Sequence, residues 1–115
     1  AVMGVALVAE GGPQQAATPS SLFVVTETQT LCFHLQTSTK AVLDHTGVSA
    51  PHCCVLRPPT SPGAPRLLLV GREEGLYDYT PDTRAGCTVY EGGKARLAVL
   101  RRYVVVVTRE VSEVA

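Results

Sequence analysis

The side chains best suited to chemistry are four cysteines, Cys32, Cys53, Cys54 and Cys87, with His34 and His52 beside three of them in sequence. A structural zinc site wants Cys-x-x-Cys or His-x-x-x-His spacing, and none of these residues shows it. On a strand Cys32 and His34 share a face, as do His52 and Cys54, so only a cross-strand arrangement would gather them. Small thiols filling a sheet core are the simpler reading, with no metal site. Adjacent Cys53 and Cys54 point to opposite faces of an extended chain, which is wrong for two arms of a disulfide framework. A nucleophilic set can be drawn from Cys87, His52 and Asp44, but most chains with these residue types permit such a drawing. Neither a Gly-x-Ser-x-Gly elbow nor a phosphate-binding Gly-x-x-x-x-Gly-Lys-Ser/Thr loop is present. Gly92-Gly93-Lys94 lacks the earlier glycine and the following hydroxyl of such a loop, and reads as a hairpin turn. The expectation is a chain with no catalytic residues, no cofactor and no metal.

Bulk composition narrows the partners. The 115 residues carry ten basic and ten acidic side chains and no formal net charge. Nucleic-acid surfaces and anionic lipid both call for a basic excess, which is missing, so the partners expected are proteins. No small-molecule substrate is implied. Ala1–Ala9 is apolar yet lacks the basic start and cleavage pattern of a secretory leader. No apolar run reaches the roughly 20 residues of a spanning helix. The cysteines are therefore expected to be free thiols in a reducing, cytosolic compartment.

The elements that must position these side chains read as strands. Valine and leucine dominate the apolar content, with two phenylalanines, four tyrosines and no tryptophan. Valine-rich runs with little aromatic bulk suit a pleated sheet better than a helix. Met3–Ala9, Leu22–Thr26, Leu31–Leu35, Ala41–Leu43, His52–Leu56 and Arg66–Val70 form the first set of apolar runs. Gly75–Tyr79, Cys87–Tyr90, Ala95–Leu100 and Tyr103–Thr108 follow. Leu31, Phe33 and Leu35 share one face, and Gly71 is expected to stop the strand before it. Gln14–Ser21 and the proline-rich Pro58–Pro65 read as surface loops. Glu27–Thr30 suits a hairpin, Glu73-Glu74 a solvated turn, and Arg101-Arg102 a turn that also discourages edge-to-edge pairing. Tyr77 and Tyr79 point the same way, as packing residues with wet hydroxyls or, if exposed, as a protein-contact pair. Tyr103–Val107 has no polar face and predicts burial on both sides.

One continuous stretch carries more than periodicity. Gly71 ends an apolar strand; Glu73, Tyr77 and Tyr79, Pro81-Asp82, Arg84, Cys87 and Tyr90-Glu91-Gly92-Gly93-Lys94 then follow in order. This succession resembles the N-terminal β-propeller of the vacuolar protein sorting-associated protein 11 family. Its landmarks here are Gly71, Tyr77, Tyr79, Pro81, Asp82, Cys87, Glu91, Gly92 and Lys94. Looser similarity extends from Leu22 to Glu110, including Leu43-Asp44, Gly47, Cys53 and the Arg102–Glu110 segment.

The resemblance implies an all-β fold, a partial WD40-like β-propeller. At roughly 40–45 residues per blade, residues 1–115 would supply two to three blades of antiparallel sheet as a fragment of that domain. It further implies a non-catalytic scaffold in the class C core shared by the HOPS and CORVET complexes, which tether endosomal and lysosomal or vacuolar membranes before fusion. The partners implied are other class C subunits. The protein would be cytoplasmic and peripheral on those membranes, held there indirectly through the complex. The family's α-solenoid and zinc-binding RING domain have no counterpart in these residues. Two other readings stay open: a small self-contained β-sandwich with an unrelated binding role, and a metal- or thiol-dependent enzyme.

Overall fold

The computed structural model describes residues 1–10, 18–45, 48–57 and 66–109. Every regular element in them is a strand, and the ten strands form three antiparallel sheets. Sheet 1 is β1 (Val2–Glu10), β2 (Thr18–Thr26), β3 (Thr30–His34) and β4 (Thr39–Asp44), in that order. Sheet 2 repeats the plan with β5 (Ser49–Leu56), β6 (Leu68–Arg72), β7 (Gly75–Tyr79) and β8 (Arg84–Val89). Sheet 3 is the hairpin of β9 (Lys94–Leu100) and β10 (Tyr103–Thr108).

The first strands of the three sheets stack in series, β5 packing against β1 on one side and β9 on the other. Two four-stranded meanders and a third begun, joined last strand to next first strand, form a partial propeller. A sandwich would instead face two sheets across a single core.

The main core fills the seam between sheets 1 and 2. Phe23, Val25 and Cys32 from sheet 1 meet Leu68, Val70, Tyr77 and Tyr79 from sheet 2, all buried. Each such large apolar side chain contributes about 1.5–3 kcal/mol of transfer free energy, which fixes the register of both sheets. All five residues of β6 are buried, as an inner strand with a sheet on each side should be.

Several expectations are corrected. Leu31 and Phe33 share a face of β3, but the core takes the other one, Thr30 and Cys32, and Leu35 lies past the strand in the turn to β4. The reason is register: Cys32 lies opposite Phe23, and Phe23 points into the seam. Residues 14–17 of the expected Gln14–Ser21 loop lie outside the described residues, whereas Thr18–Ser21 belongs to β2. Pro19 is tolerated there because it falls at a register shift against β1, where the ladder is already interrupted. The Pro58–Pro65 loop lies outside the described residues. Gly71 does not stop β6, which runs on to Arg72.

The expectation for Tyr103–Val107 fails as well. β10 is the edge of a two-stranded sheet, and Tyr103, Val105 and Val107 are 63%, 41% and 46% exposed. Sheet 2 lies on one side of the hairpin, through Leu97, and no described residue covers the other. Sheet 1 is similar at the far end of the stack. Val5, Leu7 and Val42 are exposed there, in register with half-buried Leu22, Val24 and Leu31. Both ends of the stack therefore present apolar sheet faces outward.

Candidate interaction surface

The structure disperses the residues that suggested catalysis or metal binding. Asp44 is engaged with Tyr79 and Arg84 at the end of β4. His52 and Cys87 lie on β5 and β8, opposite edges of sheet 2, three strand spacings or roughly 14 Å apart. His52 and Cys54 do not behave as simple alternating neighbours. Ala50–Cys53 bulges out opposite Gly71, and His52 adopts a left-handed φ of 66°. Among the described residues, no group of three or more His, Cys, Asp or Glu side chains is placed to hold a metal ion.

Cys53 and Cys54 do point to opposite sides of β5. The Cys53 thiol donates to the Lys94 carbonyl of β9 at 3.2 Å. The Cys54 sulfur faces β1, against Gly4, where any Cβ would collide with it. Burial raises the pKa of both thiols above the usual cysteine value, as it does for Cys32.

The landmark residues divide between the two seams and one rim. Tyr77 and Tyr79 are 8% and 0% exposed and pack on sheet 1, so they offer no contact pair to an outside protein. Nor is the Tyr79 hydroxyl wet: it donates to the Asp44 carboxylate of sheet 1 at 2.8 Å. Burial, then that bond, push its pKa up to about 12. Arg84 ties the same corner together, 3.3 Å from Asp44 and stacked over the Tyr77 ring. Arg72 is fully buried in this seam and donates from Nη2 to the Thr30 hydroxyl at 2.7 Å. Its Nε and Nη1 find no acceptor among the described residues. Following an apolar run, it reads in sequence like an exposed strand terminus, so nothing local announces its burial.

The second seam holds Gly71, Gly92 and Lys94. Gly92 takes a φ of 105°, open to glycine and strained for other residues. Gly92-Gly93-Lys94 is not the hairpin expected, because β8 and β9 lie in different sheets. It is the crossover from one sheet to the next. Lys94 is 3% exposed, and its amine donates to the carbonyls of Glu73 at 3.1 Å, Gly92 at 2.7 Å and Tyr90. Burial lowers its pKa, but the carbonyl cage and the Tyr90 ring, 5.4 Å away, accommodate the charge. Gly71 packs beside Leu97 and Lys94, and a Cβ there would stand 3.4 Å from Leu97, an ordinary van der Waals contact, so the packing does not demand glycine.

The Glu73-Glu74 turn is more than a solvated loop, since its backbone anchors this crossover. Gly92 N–H donates to the Glu73 carbonyl at 2.9 Å and Tyr90 N–H to Glu74 at 3.3 Å. The first crossover is anchored alike, with Ser49 N–H donating to the Glu27 carbonyl at 2.8 Å. In both four-stranded sheets the turn between second and third strands thus supports the exit to the next. Pro81 and Asp82 sit at the opposite rim, in the β7–β8 turn. There the Thr80 hydroxyl accepts from the N–H groups of Asp82 and Thr83 at 3.2 and 3.1 Å. Cys87 and Glu91 are exposed.

Sheets repeated in series, stacked through their first strands and stitched by backbone-anchored crossovers, define a propeller-type chain. The profile of the PEP5/VPS11 N-terminal family matches residues 1–115, and the chain belongs to that family, the N-terminal part of a vacuolar protein sorting subunit. No curated protein and no solved structure matches the chain significantly.

Proposed function

We propose that residues 1–115 are a fragment of a WD40-like β-propeller serving as a non-catalytic scaffold within a class C tethering subunit. It acts in endosome-to-lysosome or vacuole transport, in the tethering and docking of membranes before fusion by HOPS and CORVET. Its partners are the other class C subunits. The protein is cytoplasmic, and it reaches endosomal and lysosomal or vacuolar membranes through the complex.

The observation that carries this reading is the pair of apolar end faces. The stack of two four-stranded sheets and one two-stranded sheet leaves Val5 and Leu7 exposed at one end and Leu100, Tyr103 and Val105 at the other. Further blades closing a ring would cover both ends at once, which a self-contained sandwich has no need to do. The landmark residues, Gly71, Tyr77, Tyr79, Gly92 and Lys94 above all, then serve as the joints between blades.

The test is deletion of residues 1–115 from the full-length subunit. The expected result is loss of co-purification with at least one other class C subunit, together with missorting of vacuolar cargo. An intact complex with normal cargo delivery would overturn the proposal.

A further inference from the structure

Formal neutrality of the whole chain hides a local imbalance. Residues 94–109, the β9–β10 hairpin and its flank, hold Lys94, Arg96, Arg101, Arg102 and Arg109 and no acidic residue. Half of the chain's ten basic side chains thus lie on one two-stranded sheet. Lys94 is caged by carbonyls, whereas the four arginines are exposed. Arg101 and Arg102 form the turn itself, between Leu100 and Tyr103, which are cross-strand partners and 64% and 63% exposed. The end of the hairpin is therefore two adjacent cations framed by an aliphatic and an aromatic side chain. The Arg102 guanidinium lies over the Tyr103 ring, 5.9 Å from its centroid. Neither turn arginine pairs with a carboxylate among the described residues, unlike Arg57 and Arg84.

The backbone adds an independent observation. Arg101 holds a left-handed φ of 56°, a conformation that glycine takes freely and arginine only against its own Cβ. The turn alone would favour glycine here, so the charge is kept at a steric cost, which points to a role outside folding. Stacking does not remove a hairpin end from solvent. Where sheet 3 covers sheet 2, Leu69 is buried, yet Arg57 and Leu67 at the matching end of β5 and β6 stay half-buried. A further blade on sheet 3 would likewise bury Val105 and leave the turn at the rim.

We propose that the Leu100–Tyr103 hairpin end is a contact for the surface of an anionic lipid bilayer. The arginines meet the anionic headgroups, Tyr103 settles at headgroup depth and Leu100 reaches the acyl boundary. A two-residue hairpin end is convex, which suits a flat interface better than a peptide that needs a groove or a free strand edge. Two arginines give weak, reversible adhesion, which supplements attachment through partner subunits and does not replace it.

The test floats the purified full-length subunit with vesicles of phosphatidylcholine alone and of phosphatidylcholine with phosphatidylserine. Wild-type protein is expected on the anionic vesicles, with binding that falls as salt rises. Arg101→Gly with Arg102→Gln should weaken that binding about thirtyfold, roughly fivefold for each charge. Arg101→Gly also relieves the left-handed turn, so misfolding cannot explain its share of the loss, and a melting scan on each variant checks this. Tyr103→Ser should weaken binding while preserving its salt dependence. Lys40→Gln, at an exposed cation on β4, should change nothing. Absence of wild-type binding to anionic vesicles, or full binding by the double-arginine variant, would overturn the lipid contact and leave the scaffold reading untouched. A double variant that keeps its vesicles but loses a class C subunit would overturn it too, assigning the hairpin to a protein partner.

Discussion

Tyr79 is the residue whose chemistry the fold alters most visibly. An unfolded tyrosine titrates near 10, whereas Tyr79, buried and donating to Asp44, titrates near 12. Between those values the unfolded chain gives up its proton first, so stability intact below pH 10 falls as the pH rises toward 12. Tyr79→Phe should flatten that alkaline loss while costing about 1.5–3 kcal/mol at neutral pH, where a charge-assisted bond disappears. Urea melts at successive pH values, alongside tyrosinate absorbance, check both effects; an unchanged alkaline slope in the variant would contradict the assignment. The positions of Tyr77 and Tyr79 were legible in sequence as strand alternation. Their partner was not, because Asp44 lies 35 residues away in another sheet. Arg72 was illegible for the same reason, since its acceptor, Thr30, is 42 residues distant.

Among the elements, the strands were easy to read and the crossovers hard. Gly75–Tyr79 matches β7 residue for residue, and Arg101-Arg102 does turn β9 into β10. Local chemistry settles such features: alternation, a branch-rich run, a turn pair. The Gly92–Lys94 crossover and a two-residue hairpin draw on the same residue types, so only tertiary pairing separates them. What distinguishes the crossover is the Lys94 amine, which closes it against the Glu73 carbonyl of the preceding turn. Lys94→Met should ease local opening by about 2 kcal/mol, roughly thirtyfold faster amide exchange, at Tyr90, Gly92 and Arg109. These three amides bond to Glu74, Glu73 and Gly93 around it. The Thr80 amide, in a turn at the opposite rim, should exchange as before. Uniform acceleration across all four would show that Lys94 supports the whole domain and not this joint.

For the whole molecule, the open stack has consequences in solution. Expressed by itself, the chain should associate through its apolar ends, and Val5→Lys with Val105→Lys should return it to a monomer in sedimentation experiments. A wild-type chain that is already monomeric and melts sharply would contradict the ring reading. That β10 suits a strand covered on both faces could be sensed in sequence from its apolar run. The side left uncovered was not apparent, because one strand's pattern cannot say how many sheets its own protein stacks on it. Cys53 and Cys54 turn this architecture into a two-channel strain gauge. One sulfur is shielded by the β9 joint and its neighbour by the β1 joint, so a thiol-reactive dye gains access to each only when its own joint parts. The ratio of label at two consecutive positions, read by peptide mass after a brief pulse, should reveal which joint yields first when the stack is strained.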